Sequence, residues 1–119
     1  MNDYQKLTVW KVSKELTLKV YKLSEAFPDT ERFGLTSQIR RSVISVPSNI
    51  AEGAGRNSKK DFNRFIAIAL GSLFELETQL IIAFELGYTE ELKFKEVMDE
   101  ITYIKKMLYK LTKSLEGGK

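Results

Sequence analysis

The chain of 119 residues contains neither cysteine nor histidine, which excludes disulfides, thiolate chemistry, zinc sites of the usual donor set and the commonest general base near neutral pH. Hydrophobic residues make up 43% and charged residues 29%, the balance of a single globular domain spanning residues 1–119. The net charge of +3 is unevenly spread: residues 1–60 carry eleven Lys/Arg against six Asp/Glu, and residues 61–119 eight against ten, so the first half is the basic half.

No stretch reaches the roughly 20 apolar residues of a membrane span, and the N-terminal MNDYQKLTVWK has no apolar signal core. The expectation is a cytoplasmic protein without membrane contact. The first helix is predicted over 8–26. Val9, Val12, Leu16, Val20, Leu23 and Phe27 recur at spacings of three and four, one face of a helix, and Pro28 stops it. DTERFGL is a connector with room for one helical turn.

A second helix is predicted over 36–54, with Thr36 as its cap. Leu35, Ile39, Val43, Val46, Ile50 and Ala54 form its inward stripe. Pro47 interrupts this stripe, yet the phase continues across it. One helix kinked at Pro47 is therefore expected, although proline in a helix interior costs about 3 kcal/mol. Ser45, Ser48 and Asn49 stand where they could satisfy the freed backbone groups. Gly53 and Gly55 are expected to end the helix.

The third helix is predicted over 59–86. Ser58 and Asp61 read as a capping box, and Gly87 as the C-terminal cap. Its segment FIAIAL, residues 65–70, is apolar all round. Such a helix is buried on more than one face, either deep in one chain or at a subunit interface. The interface expectation falls on Phe65, Ile68, Ser72 and Glu75. The fourth helix is predicted over 90–115, capped by Thr89. Its apolar residues Phe94, Val97, Ile101, Ile104, Leu108, Leu111 and Leu115 alternate spacings of three and four, the pattern of left-handed bundle packing. Short connections make neighbours antiparallel. The expected fold is an all-α, up-down-up-down four-helix bundle with a Pro-kinked second helix.

Three constellations could carry chemistry. Arg40, Arg41, Arg56, Lys59, Lys60 and Arg64 surround the break between the second and third helices, where exposed N–H groups favour anions. Lys11 and Lys14 could extend that surface; the alternative is an ordinary solvated face with local pairs such as Arg56 with Glu52. Glu75 and Glu77, with Glu52, are a carboxylate set lacking any nucleophile beside it, so structural ion pairs are the expectation. GAGR lacks the preceding strand and following Gly-Lys-Ser/Thr of a phosphate loop. No cofactor or metal site is expected.

Three long motifs, GLTSQIRRS, SVPSNIAEGAGR and GSLFELETQL, stand in order in the chain. Through them it resembles the four-helix-bundle proteins encoded in intervening sequences of bacterial 23S rRNA genes, over nearly its whole length. The fourth helix matches mainly in pattern, and Ser42 stands where the family commonly has alanine. The resemblance implies an antiparallel bundle assembling as a ring of five. A related branch resembles the accessory protein of diversity-generating retroelements, a basic pentamer that binds nucleic acid and a reverse transcriptase. Structured RNA is therefore the implied partner, with a protein-interaction scaffold as the alternative and an enzyme the least supported. Residue by residue, the motif points to Arg40, Arg41, Pro47, Asn49, Glu52, Gly53 and Arg56. Pro47 is expected to bend the helix, first to fit the bundle around a ring and second so that Arg40, Arg41 and Arg56 gather near one end.

Overall fold

The computed structural model describes residues 3–117. Four helices, α1 (Thr8–Ser24), α2 (Leu35–Ala54), α3 (Lys59–Glu85) and α4 (Glu91–Gly117), account for nearly all of it. Single 3-10 turns at Tyr4–Lys6 and Asp29–Glu31 precede α1 and α2. There is no strand among the described residues. The expected stripes are the core. Leu16 and Val20 of α1, Ile39, Val43 and Ile50 of α2, Leu73, Leu76 and Leu80 of α3, and Ile101, Ile104 and Leu108 of α4 are fully buried. Burying a side chain of this size contributes about 1.5–3 kcal/mol against leaving it wet, so the periodic stripes decide which faces meet.

Cross-helix contacts climb one helix as they descend the next. Thr17 meets Val43 while Ser24 meets Arg40. Ser42 meets Glu75 while Ser45 meets Ser72. Glu77 meets Lys105, and Asn63 meets Glu116. Lys19 joins α1 to α4 through Glu100 at 2.7 Å. The result is a rod of 48 × 23 × 20 Å.

α2 stays helical through Pro47, whose ring is buried. Proline has no N–H, so the Val43 carbonyl loses its usual donor four residues on. A donor arrives from another helix: the Thr17 hydroxyl lies 3.3 Å from that carbonyl and 2.9 Å from its own Ser13 carbonyl. One hydroxyl proton is shared between the two. Two residues on, Asn49 adds a side-chain bond, its Nδ2 donating to the Ser45 carbonyl at 2.8 Å and to Ser45 Oγ at 2.9 Å.

Several helix ends differ from expectation. Gly34, not Thr36, precedes α2, and Thr36 lies inside it. The Leu35 N–H is capped by Glu31 Oε1 at 3.0 Å, a long side chain reaching from the preceding turn. Gly53 lies inside α2, and Gly55 follows it with an ordinary right-handed φ of −84°. Ser58 does cap α3, accepting from the Asp61 N–H at 3.0 Å. Asp61 does not reach back; its carboxylate is held by Arg64 at 2.9 Å. Thr89 stands outside α4 with its hydroxyl turned to the Glu90 carbonyl. Gly87 is the expected cap: its φ is +81°, and the Tyr88 and Gly87 N–H groups donate to the Ala83 and Phe84 carbonyls, the double bond pattern that closes a helix through a left-handed residue.

Glu31 also ties two connections together, because the Tyr88 hydroxyl donates to Glu31 Oε2 at 3.0 Å. That hydrogen bond raises the Tyr88 pKa above 10.0, with desolvation and the Glu31 charge adding to it. A phenol whose folded pKa is raised contributes its stability fully below pH 10 and loses it as pH climbs through the raised folded value. Tyr88→Phe is therefore expected to melt below the parent at pH 8. Thermal melts followed by circular dichroism should show the gap closing above pH 10.

Candidate nucleic-acid interface

Antiparallel packing sorts the charges along the rod. One end collects residues 3–15, 48–68 and 103–117, which carry eleven Lys/Arg against five Asp/Glu. The remaining residues, 16–47 and 69–102, carry seven against eleven. The rod thus has a basic end and an acidic end, a division that the two halves of the chain do not follow. Six of the expected cations lie at the basic end: Lys11, Lys14, Arg56, Lys59, Lys60 and Arg64. Three more, Lys106, Lys110 and Lys113, project from α4 and are exposed. The sequence reading missed these because α4 belongs to the acidic half of the chain. Their spacing of four and three on the face opposite Ile104 and Leu108 was the available signal.

The turn between α2 and α3 is built around Phe65. The guanidinium groups of Arg56 and Arg64 lie 4.8 and 4.5 Å from its ring centroid. Arg56 also pairs with Glu52 at 2.8 Å. Asp61 accepts from Arg64 and lies 3.7 Å from Arg56. Both arginines are thus held in place while their outer N–H groups stay wet. Lys60 is exposed beside them, and Lys59, also exposed, has a partner within the chain. Lys14 rests over the Trp10 ring at 5.6 Å, with Lys11 exposed on the same helix.

Arg40 and Arg41 do not join this set. Fourteen residues of helix separate Arg40 from Ala54, the end of α2 just before Arg56, about 21 Å at 1.5 Å per residue, so Pro47 does not gather them at one end. Arg40 instead fastens the end of α1 to α2. Its Nε donates to Ser24 Oγ at 2.8 Å, its terminal nitrogen donates to the Tyr21 carbonyl at 3.1 Å, and it lies 4.7 Å from the Tyr21 ring centroid. Arg41 is exposed toward the acidic end. Arg40→Ala is expected to lose about 2 kcal/mol in urea unfolding, the worth of two charge-assisted bonds discounted for partial exposure. Arg41→Ala should stay within about 0.5 kcal/mol of the parent.

The carboxylates are dispersed. Glu77 pairs with Lys105 at 2.8 Å, Glu75 accepts from Ser42 at 3.3 Å, and Glu52 holds Arg56. Each serves a different neighbour, so they form no acid–base pair. Among the described residues no group of three or more acidic side chains could hold a metal ion.

The expected interface residues on α3 separate. Phe65 and Ser72 are buried inside the chain, Ser72 against Ser45 at 2.8 Å. Ile68 and Glu75 face outward. With Ile68 the outer face exposes Phe74, Ile81 and Ile82, each 40–48% accessible. By length and composition α3 could cross a membrane, which corrects the expectation that no stretch is apolar enough. The apolar excess comes from a helix with one face in the bundle core and a second apolar face outside it.

The family model described as 23S rRNA-intervening sequence protein matches residues 5–110. No curated protein matches. Among solved structures, the chain is similar to a protein of unknown function from the S23 ribosomal protein family of Bacteroides thetaiotaomicron. The two are 27% identical with a TM-score of 0.80, over 89% of this chain and 99% of the other.

Proposed function

The chain belongs to the 23S rRNA-intervening sequence protein family, and from that premise we propose a binding protein, not a catalyst, that holds structured RNA against the basic end of the bundle. The observation that carries this is the axial separation of charge. Of eleven cations at one end of a 48 Å rod, all but Lys105, which is largely covered by its pair with Glu77, are left to make a surface for phosphate. No base-reading module is built into it, so its contacts are to backbone and shape.

The protein acts as a homo-oligomer, with the α3 face of Ile68, Phe74, Ile81 and Ile82 covered by a second copy. Monomers rarely leave an apolar face of this kind open to water, and a ring of five is what the family resemblance implies. In a ring, the basic ends of all subunits would lie side by side and multiply the phosphate contacts.

Fluorescence anisotropy with nuclease-treated protein and a structured RNA, at several salt concentrations, tests the binding. Tight association whose logarithm falls linearly with log salt, by about 0.7–0.9 per phosphate contact, is expected. Absence of binding at low salt would refute it. Phe74→Glu with Ile82→Glu should convert the assembly to monomers in sedimentation while leaving the helix content intact. The alternative of a protein-interaction scaffold rests on the same α3 face, and a stoichiometric protein in place of RNA on the purified assembly would favour it.

A further inference from the structure

A groove of about 560 Å³ runs between the start of α1 and the second half of α4. Of its lining residues, Val9 is buried and Met107 and Leu111 are half-buried, so they form its floor, while Tyr103, Lys106 and Lys110 are exposed and form its outer edge. Tyr103 is 53% exposed, so much of its ring is available to an occupant. Thr8 and Ser114, which carry hydroxyls, also line the groove. This volume is in the range of small-molecule sites, and the groove opens within the basic end itself.

We infer that this groove takes an unpaired base of a nucleic acid whose backbone lies along Lys106, Lys110 and Lys113. This rests on the polyanion reading above and narrows it to single-stranded segments. The chemistry fits one occupant best. A base needs a flat apolar floor, an aromatic face to stack on and a few hydroxyls for its edge. Its phosphates need cations at the mouth, not in the interior. Tyr103 precedes Lys106 by three residues and Lys110 by seven, so ring and ammonium groups lie along neighbouring lines of one helix. Tyr109, 49% exposed, flanks the lysine row on its other side and offers a second platform. Aromatic stacking combined with a basic track is the general arrangement for holding single strands without reading their sequence. Charge complementarity and continuity with the basic end favour this occupant over an uncharged one.

The test compares a short labelled oligouridine with an RNA duplex of equal length, by anisotropy at one salt concentration. The parent protein should bind the oligouridine more tightly than the duplex. Tyr103→Leu keeps an apolar wall but removes the π-face, and should weaken oligouridine binding about tenfold with duplex binding unchanged. Because Tyr103 is half exposed, the variant should melt like the parent, and Met107→Glu, which places a carboxylate on the floor, should give the same selective loss. Equal affinity of the parent for both ligands, or an equal loss of both in Tyr103→Leu, would overturn the groove assignment and leave the polyanion reading standing. No binding of either ligand at low salt would sink both. Saturable binding of dodecanoate that depends on Lys106 and Lys110, with no preference for the single strand, would assign the groove to an anionic amphiphile instead.

Discussion

Gly53→Val is expected to lose most of the bundle's stability, and Gly53→Ala a substantial part of it. A Cβ built at Gly53 would lie 2.8 Å from Phe65 Cβ, 2.9 Å from Phe62 Cδ1 and 3.2 Å from the Phe62 carbonyl. None of these is the far end of a flexible chain. Phe65 Cβ moves only with the α3 backbone, and the Phe62 ring is itself buried. Relief therefore requires α2 and α3 to separate where Gly53 meets Phe62 and Phe65, near a short turn that allows little slack. Alanine gains about 1 kcal/mol of helix propensity over glycine, while contacts as short as 2.8 and 2.9 Å put overpacking in the upper part of its range, about 2–3 kcal/mol, so Gly53→Ala should be destabilised by about 1–2 kcal/mol. Valine adds two methyl groups to the same contact, and its loss should be about 4 kcal/mol or more. Gly71 is the internal control. Nothing lies within 4 Å of its built Cβ, and Gly71→Ala should gain about 0.8–1 kcal/mol from propensity alone. Urea unfolding of the three variants, corrected for any change in assembly, measures all of this. Equal behaviour of Gly53→Ala and Gly71→Ala would mean that the close approach of α2 to α3 is not what glycine at 53 serves.

Reversing charge should weaken RNA binding at the basic end of the rod and leave it nearly unchanged at the acidic end. Lys60→Glu, Lys106→Glu and Lys110→Glu together are expected to reduce affinity for structured RNA by at least about a hundredfold at low salt. The magnitude of the salt slope should fall by about one for each lysine that no longer meets a phosphate. All three side chains are exposed, so folding should be preserved. Arg32→Glu with Arg41→Glu places two of the same charge reversals at the acidic end, against three at the basic end, and should leave both affinity and slope nearly unchanged. If both sets weaken binding alike, the protein responds to net charge and the axial division is irrelevant to it. Arg40 is unsuitable for this comparison, because its removal unfastens α1 from α2 through Ser24 and Tyr21. An Arg40 variant that binds poorly would report reduced folding as much as a missing phosphate ligand.

The SVPSNIAEGAGR motif is largely structural in this light. Pro47 is buried, Asn49 closes on Ser45, Glu52 steadies Arg56, and Gly53 admits the two phenylalanines of α3. Only Arg56 stands at the proposed interface. The proline is tolerated because its missing donor is made good from outside the helix. Thr17, twenty-six residues before Val43, supplies the hydroxyl.

What the chain itself determined is local. The stripes of α1 to α4, the Ser58 cap and the Gly87 terminator are properties of residues within one or two turns of each other. Burial of every third or fourth side chain is encoded wherever it occurs. The four helices, the core residues and the absence of cysteine and histidine chemistry were legible for that reason. The tertiary structure decided everything that depends on which distant turns lie side by side. It made Arg40 a fastener, Gly53 a contact point and Thr17 the donor for Val43. It also moved the basic surface from the first half of the chain to one end of the rod by bringing Lys106, Lys110 and Lys113 to the same end as Lys60 and Arg64. Charge along a sequence adds up by position in the chain, whereas a phosphate backbone meets charge by position in space. In an antiparallel bundle the two differ, because each helix returns the chain to the end it has just left.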